Sequence, residues 1–152
     1  MEAYEIGHIA PDQIDRAYAL LRLAHPAVQP AAWRRYALDV LDRPAGQARH
    51  RQIIVAANSL GYIQGLSVAF IAELASGKAL DVPVLIVVSA ADEHGVRREL
   101  LAHLAARAAG LGCSQLRLWI QSSGNWHRHQ LPDPAHDAPI DLLIPAARQA
   151  DD

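Results

Sequence analysis

Apolar residues recur along this chain in two periods, and the switches between them divide it into elements. Tyr4 to Ile9 alternates weakly and predicts a short edge strand, which Pro11 ends. Ile14, Ala17, Tyr18 and Leu21 share one face at helical spacing. They predict a helix through Leu23 with Asp12 as its N-cap. The segment HPAVQP (His25 to Pro30) breaks the pattern, and Trp33, Tyr36, Ala37 and Val40 restore it as a second helix, Ala31 to Leu41. After Pro44-Ala45-Gly46 the period changes to that of strands. Gln52 to Ala57 and Tyr62 to Ala72 are apolar and largely β-branched or small, joined by Asn58-Ser59-Leu60-Gly61, a hairpin turn. Gly65 interrupts the second of them. Ala75-Ser76-Gly77-Lys78 is the next turn, and Val82 to Ser89 is the most continuous apolar run, the mark of a central strand covered on both faces.

Helical spacing returns from Val96 to Ala109, with a stripe of Val96, Leu100, Leu101, Leu104, Ala105 and Ala108, stopped by Gly110 and Gly112. Gln115 to Gln121 (QLRLWIQ) alternates: Leu116, Leu118 and Ile120 face one way, Arg117 and Trp119 the other. Beyond it the chain is rich in Pro, His and Asp, with one short apolar strand predicted at Ile140 to Ile144. Hairpins through the middle imply antiparallel pairing. A helix between Ser89 and Gln115 implies a crossover to a parallel neighbour. The expected fold is a mixed-sheet α/β or α+β domain over residues 1–145, followed by a tail at 146–152.

Composition narrows the functional classes. The chain has 152 residues, enough for one core, and a formal net charge of -2, which gives no basic field for nucleic acid or an anionic membrane. No apolar run reaches the length of a membrane span, and MEAYEIGHIAPDQ lacks the basic and apolar regions of a signal peptide. A single cysteine, Cys113, excludes an internal disulfide framework and a Cys-rich zinc module. The expectation is a cytoplasmic, bacterial protein.

The candidate chemistry lies between Val82 and Leu104, VPVLIVVSAADEHGVRRELLAHL. A buried strand, a turn with Gly95 and a helix N-terminus make an anion cradle. First-turn N–H groups lack intrahelical partners, and the helix dipole adds partial positive charge. Arg97 and Arg98 can add charge-assisted bonds. A glycine that only starts a helix is the plainer alternative.

Strand, loop and helix together resemble the Gcn5-related N-acetyltransferase (GNAT) family. Its signature after the central strand is Arg or Gln, two variable residues, Gly, one variable residue, then Gly or Ala. The matching residues are Asp92-Glu93-His94-Gly95-Val96-Arg97, and Gly61 to Ile71 resembles the family's preceding strand. The departures are specific. Asp92 replaces the Arg or Gln, Arg97 the second glycine, and Pro83 and Val84 the usual glutamate base. No tyrosine follows Asn125 to protonate a leaving thiolate.

The resemblance implies a mostly antiparallel sheet with one parallel, splayed strand pair, and acetyl-CoA as co-substrate. It implies pantetheine against Leu85, Ile86 and Val87, and pyrophosphate at His94, Gly95, Val96, Arg97 and Arg98, with Asn125 nearby. The acceptor would be a small-molecule or peptide amine, and a homodimer is the expected oligomer. Two bases are candidates: His127, in the chain's densest histidine cluster with His129 and His136, and Asp81, placed by the pattern near a strand end. No metal site is expected, since a structural zinc site needs four ligands. The alternatives are a GNAT-like binding or regulatory module without turnover, and an unrelated α/β domain that binds another anion.

Overall fold

The computed structural model describes residues 4–42, 51–89, 91–120 and 125–128. Along the chain run β1 (Tyr4–His8), α1 (Ile14–Ala24), α2 (Pro30–Asp42), β2 (Arg51–Asn58), β3 (Ile63–Leu74) and β4 (Gly77–Val87). They are followed by α3 (Glu93–Gly110), β5 (Gln115–Ile120) and β6 (Asn125–Arg128). The six strands form one sheet in chain order. All neighbours pair antiparallel except β4 and β5, which are parallel, with α3 as their crossover. This is the mixed α+β arrangement that the pattern predicted.

Helices cover both faces, so the middle strands are apolar throughout, not alternating. On one face α1 and α2 pack Leu21, Trp33 and Ala37 against Ile53, Val55, Leu66, Val68 and Val84. Trp33 buries its ring completely and still donates its indole N–H to the Ile14 carbonyl at 2.8 Å, so this buried donor is satisfied. On the other face α3 packs Leu100, Leu104 and Ala108 against Ile54, Ala69, Leu80, Val82 and Leu116. Each fully buried Leu or Ile contributes about 1.5–3 kcal/mol.

Gly65 does not interrupt β3; it pairs with both Ala56 and Val87. A Cβ there would stand 3.2 Å from the side chains of Leu100 and Val96 and 3.3 Å from Ala56. The glycine lets α3 lie directly on the sheet.

Three boundaries differ from the pattern's expectations. Asp12 does not cap α1. A 3-10 turn, Pro11–Gln13, precedes the helix, and the Gln13 side chain accepts the Ala10 N–H at 2.8 Å. β4 starts at Gly77, well before Val82, because the Ala75–Lys78 turn is tight enough for Leu74 to pair with Gly77. α3 starts at Glu93, three residues before Val96, because Asp92 caps it. The segment Asn125–Arg128, expected as loop, is a strand on β5. The expected strand at Ile140 to Ile144 and the tail lie outside the described residues, as do His129 and His136.

Candidate functional site

The β4–β5 ladder is short. It runs from Ala79↔Gln115 through Leu80↔Leu116 and Asp81↔Arg117 to Val82↔Leu118, where it stops although both strands continue. The next residue of β4 is Pro83, which has no N–H to donate. The β3–β4 register also shifts here: Phe70 pairs with Asp81 but Val68 with Val84, a bulge that bends β4. Past it, Leu85, Ile86 and Val87 pair with Ser67, Leu66 and Gly65 on the β3 side only. Their other edge carries no ladder bonds to β5, which leaves a V-shaped opening between two parallel strands. Leu85 and Val87 lean on the α3 layer and Ile86 on the α1–α2 layer.

At the head of this opening stands α3. The Asp92 Oδ1 accepts the Gly95 N–H at 3.0 Å, while its backbone carbonyl accepts the Val96 N–H at 3.1 Å. Its other oxygen, Oδ2, accepts the Tyr4 hydroxyl at 3.0 Å, and its own N–H donates to Ser89 Oγ at 3.1 Å. This N-cap answers a first-turn donor with a carboxylate, and the dipole favours it. A Cβ on Gly95 would fall 2.0 Å from Asp92 Oδ2. Gly95 is therefore required by the cap itself.

The expected cationic ligands are disposed differently. Arg97 spends its guanidinium on Glu93, Nη2 to Oε2 at 3.1 Å, one turn back. Arg98 and His94 are exposed, and Gly95 and Val96 are buried. The Tyr4 hydroxyl is held above its ordinary pKa by desolvation and by the Asp92 and Glu99 carboxylates. The first turn of α3 is thus an anion cradle that already holds the chain's own anion.

Asp81 is not a strand-end residue. It lies inside β4 with 0% of its surface exposed, and Arg117 on β5, also 0% exposed, grips it with two bonds: Nε to Oδ1 at 2.7 Å and Nη2 to Oδ2 at 2.6 Å. A carboxylate so enclosed and so paired does not take protons from an incoming amine. The expectation of Asp81 as a base is corrected: it is half of a cross-strand pair one rung before the ladder ends. The signal for it was present, since two opposite charges stood in two strands too apolar to leave either unpaired.

The backbone of His127 lies opposite Leu118, itself opposite Val82, so His127 is level with the last rung. Asn125 lies opposite Ile120, farther along the opening side of β5. Sequence reasoning missed Arg117, and it missed Tyr4 and Ser89 as supports of the loop. Tyr4 reaches Asp92 only because β1 lies beside the α3 layer of the folded sheet. Among the described residues no three His, Cys, Asp or Glu side chains converge as metal ligands, and no helix there is long and apolar enough to cross a membrane.

No family model matches the sequence, and no curated protein matches it. Solved structures do match in fold. An aminoglycoside N-acetyltransferase AAC(6')-Iy in complex with CoA is 15% identical, with a TM-score of 0.67, over 82% of this chain and 82% of that one. A glucosamine-6-phosphate N-acetyltransferase from Arabidopsis thaliana is 15% identical, with a TM-score of 0.62, over 82% and 86%. A transcriptional regulator from Bacillus halodurans C-125 is 17% identical, with a TM-score of 0.65, over 77% and 81%. The chain has the GNAT fold.

Proposed function

We propose that this chain is an acyl-CoA-dependent N-acyltransferase that moves an acetyl group from acetyl-CoA to an amine by direct attack. The observation that carries the proposal is the unpaired edge of β4 beyond Val82. An extended pantetheine arm presents amides, and the free backbone groups of Leu85 to Val87 are the partners such an arm needs. The solved structures that match its fold include N-acetyltransferases, one of them in complex with CoA.

The acceptor must lose a proton before its nitrogen bonds the thioester carbonyl carbon. The C–S bond then breaks and the thiolate leaves. His127, level with the end of the ladder, is the proposed proton acceptor. A backbone N–H near Val87 is the proposed donor to the carbonyl oxygen. The acceptor class proposed is a small-molecule or peptide amine, with the protein acting in the cytoplasm as a homodimer.

One observation favours a second reading, a GNAT-like binding or regulatory module. A pyrophosphate at the α3 amides would meet the Asp92 carboxylate already bonded to Gly95. The proposed transferase therefore needs Asp92 to turn away when acetyl-CoA enters. Calorimetric titration of acetyl-CoA and CoA into the protein, followed by thiol release with a panel of amines, tests the proposal. Micromolar binding and turnover support the transferase. Binding without release of thiol with any amine supports the module. No binding of either compound overturns both.

A further inference from the structure

A second group of polar side chains sits far along α3 from Asp92. Tyr4, Ile6 and His8 point from β1 toward α3, and Gln52 and Ile54 do so from β2. Beside His8 the helix brings His103 and Arg107. The charges that His8 feels are Arg107 and His103, and His103 feels Arg107. Among the described residues no acid is one of these charges; the carboxylates that Tyr4 feels, Asp92 and Glu99, lie toward the other end of this face. Beneath them is Gln52, only 1% exposed. Its Oε1 accepts from Arg107 Nε at 3.0 Å. Its Nε2, on the same carbon and therefore beside the guanidinium, has no hydrogen-bond partner. A buried amide donor without an acceptor is costly, and the exchange of amide oxygen and nitrogen would only set two donors against each other.

Arg107 and the Gln52 amide nitrogen are donors only, and each imidazole donates from one nitrogen when neutral and from both when protonated. β1 is an edge strand, and His8 is exposed while His103 and Arg107 are half-buried, so the rim of the cluster opens to solvent above the buried Gln52 amide. We propose that His8, Gln52, His103 and Arg107 form a binding site for a small oxyanion, a phosphate or carboxylate group. Arg107 supplies a fixed charge held in place by Gln52, the Gln52 amide supplies a neutral donor at the floor, and the two imidazoles close the site from β1 and α3. Desolvation and Arg107 hold both imidazoles below the ordinary histidine pKa. A bound anion reverses that balance by favouring their protonated forms. Arg107 is about 22 Å along the helix from Asp92 at 1.5 Å per residue, so the site does not depend on the acetyl-CoA reading.

The test is NMR titration of the imidazole Cε1–H signals against pH at constant ionic strength. It is run in chloride, in inorganic phosphate and in succinate, with signals assigned from His8→Asn and His103→Asn. Phosphate or succinate is expected to raise the pKa of both His8 and His103 by about one unit, the scale of an opposite charge within contact range. The effective anion identifies the class. His25, half-buried and shifted by burial alone, should not move. Arg107→Gln should abolish the response, and Gln52→Leu, which removes the orphan donor without opening a cavity, should weaken it at least fivefold in anion affinity. The site is refuted if neither anion moves the pair, if His25 moves equally, or if Arg107→Gln responds like the wild type.

Discussion

The Asp92 carboxylate and the Gly95 amide answer one another across the first turn of α3: Oδ1 accepts the N–H at 3.0 Å, and a Cβ on Gly95 would stand 2.0 Å from Oδ2. A glycine loop after a central strand invites a phosphate. Here the glycine accommodates an internal carboxylate, and the second oxygen is tied to Tyr4. Under the proposed function, acetyl-CoA binding requires that Asp92 be displaced from this cap.

Asp92→Ser should separate the cap from the charge. Serine caps as well as aspartate, so stability should change by no more than a few tenths of a kcal/mol. Removing the negative charge should strengthen CoA binding about fivefold or more, since like charges at this range repel by about 1 kcal/mol even when solvated. Calorimetric titration and thermal unfolding check the two halves. An unchanged or weaker affinity would mean that the pyrophosphate does not approach the α3 amides.

Gly95→Ala should destabilise the protein by about 1–3 kcal/mol through the collision with Asp92. Combined with Asp92→Gly, which vacates the space, the same substitution should cost far less, and alanine's helix propensity should offset part of the lost cap. A double-mutant cycle by denaturant unfolding should return a coupling of about 1 kcal/mol or more. Additive effects would show that the glycine serves something other than the cap.

The parallel pair, the crossover helix and the buried stripe Val96, Leu100, Leu104 and Ala108 were legible because periodicity reports burial directly. What the pattern misplaced depends on contacts across long separations. Asp81 was placed at a strand end because an apolar run conventionally begins after its last charge. In the fold Arg117, on another strand, makes that charge tolerable inside, and β4 extends back through it. The same holds for β6. Its residues, NWHR, carry no strand signal of their own, and the edge of β5 organises them. The Gly95 motif was visible, but the reason for it was not, since Tyr4 meets Asp92 from 88 residues away.

Arg117→Met should cost about 3–5 kcal/mol, because it removes the bidentate guanidinium from a fully buried carboxylate. Adding Asp81→Leu should recover most of that loss, as replacing a buried pair by apolar groups of similar volume is often neutral or better. Urea denaturation of the two variants decides the matter. If the pair also sets the angle of the β4–β5 opening, the double variant, stable again, should still bind acetyl-CoA several-fold more weakly than the wild type. Full recovery of stability with unchanged affinity would confine the pair to the core.

Acid should destabilise this fold earlier than carboxylates alone require. His8, His25 and His103 all titrate below the ordinary 6.5 in the folded state, each chiefly through burial, with Arg107 adding to the shift of His8 and His103. Well above pH 6.5 all three are neutral in both states and contribute no pH dependence. As pH falls through 6.5 the unfolded chain binds protons first, which favours unfolding, and the loss levels off once the folded-state values are passed. Stability by denaturant unfolding should therefore fall between pH 7 and pH 5. His103→Asn should flatten that slope without changing stability at pH 8 by more than about 0.5 kcal/mol. A slope unchanged by the substitution would assign the acid sensitivity to groups other than His103. Saturating phosphate should flatten it in the wild type as well, if the anion raises the folded-state values of His8 and His103 toward those of the unfolded chain.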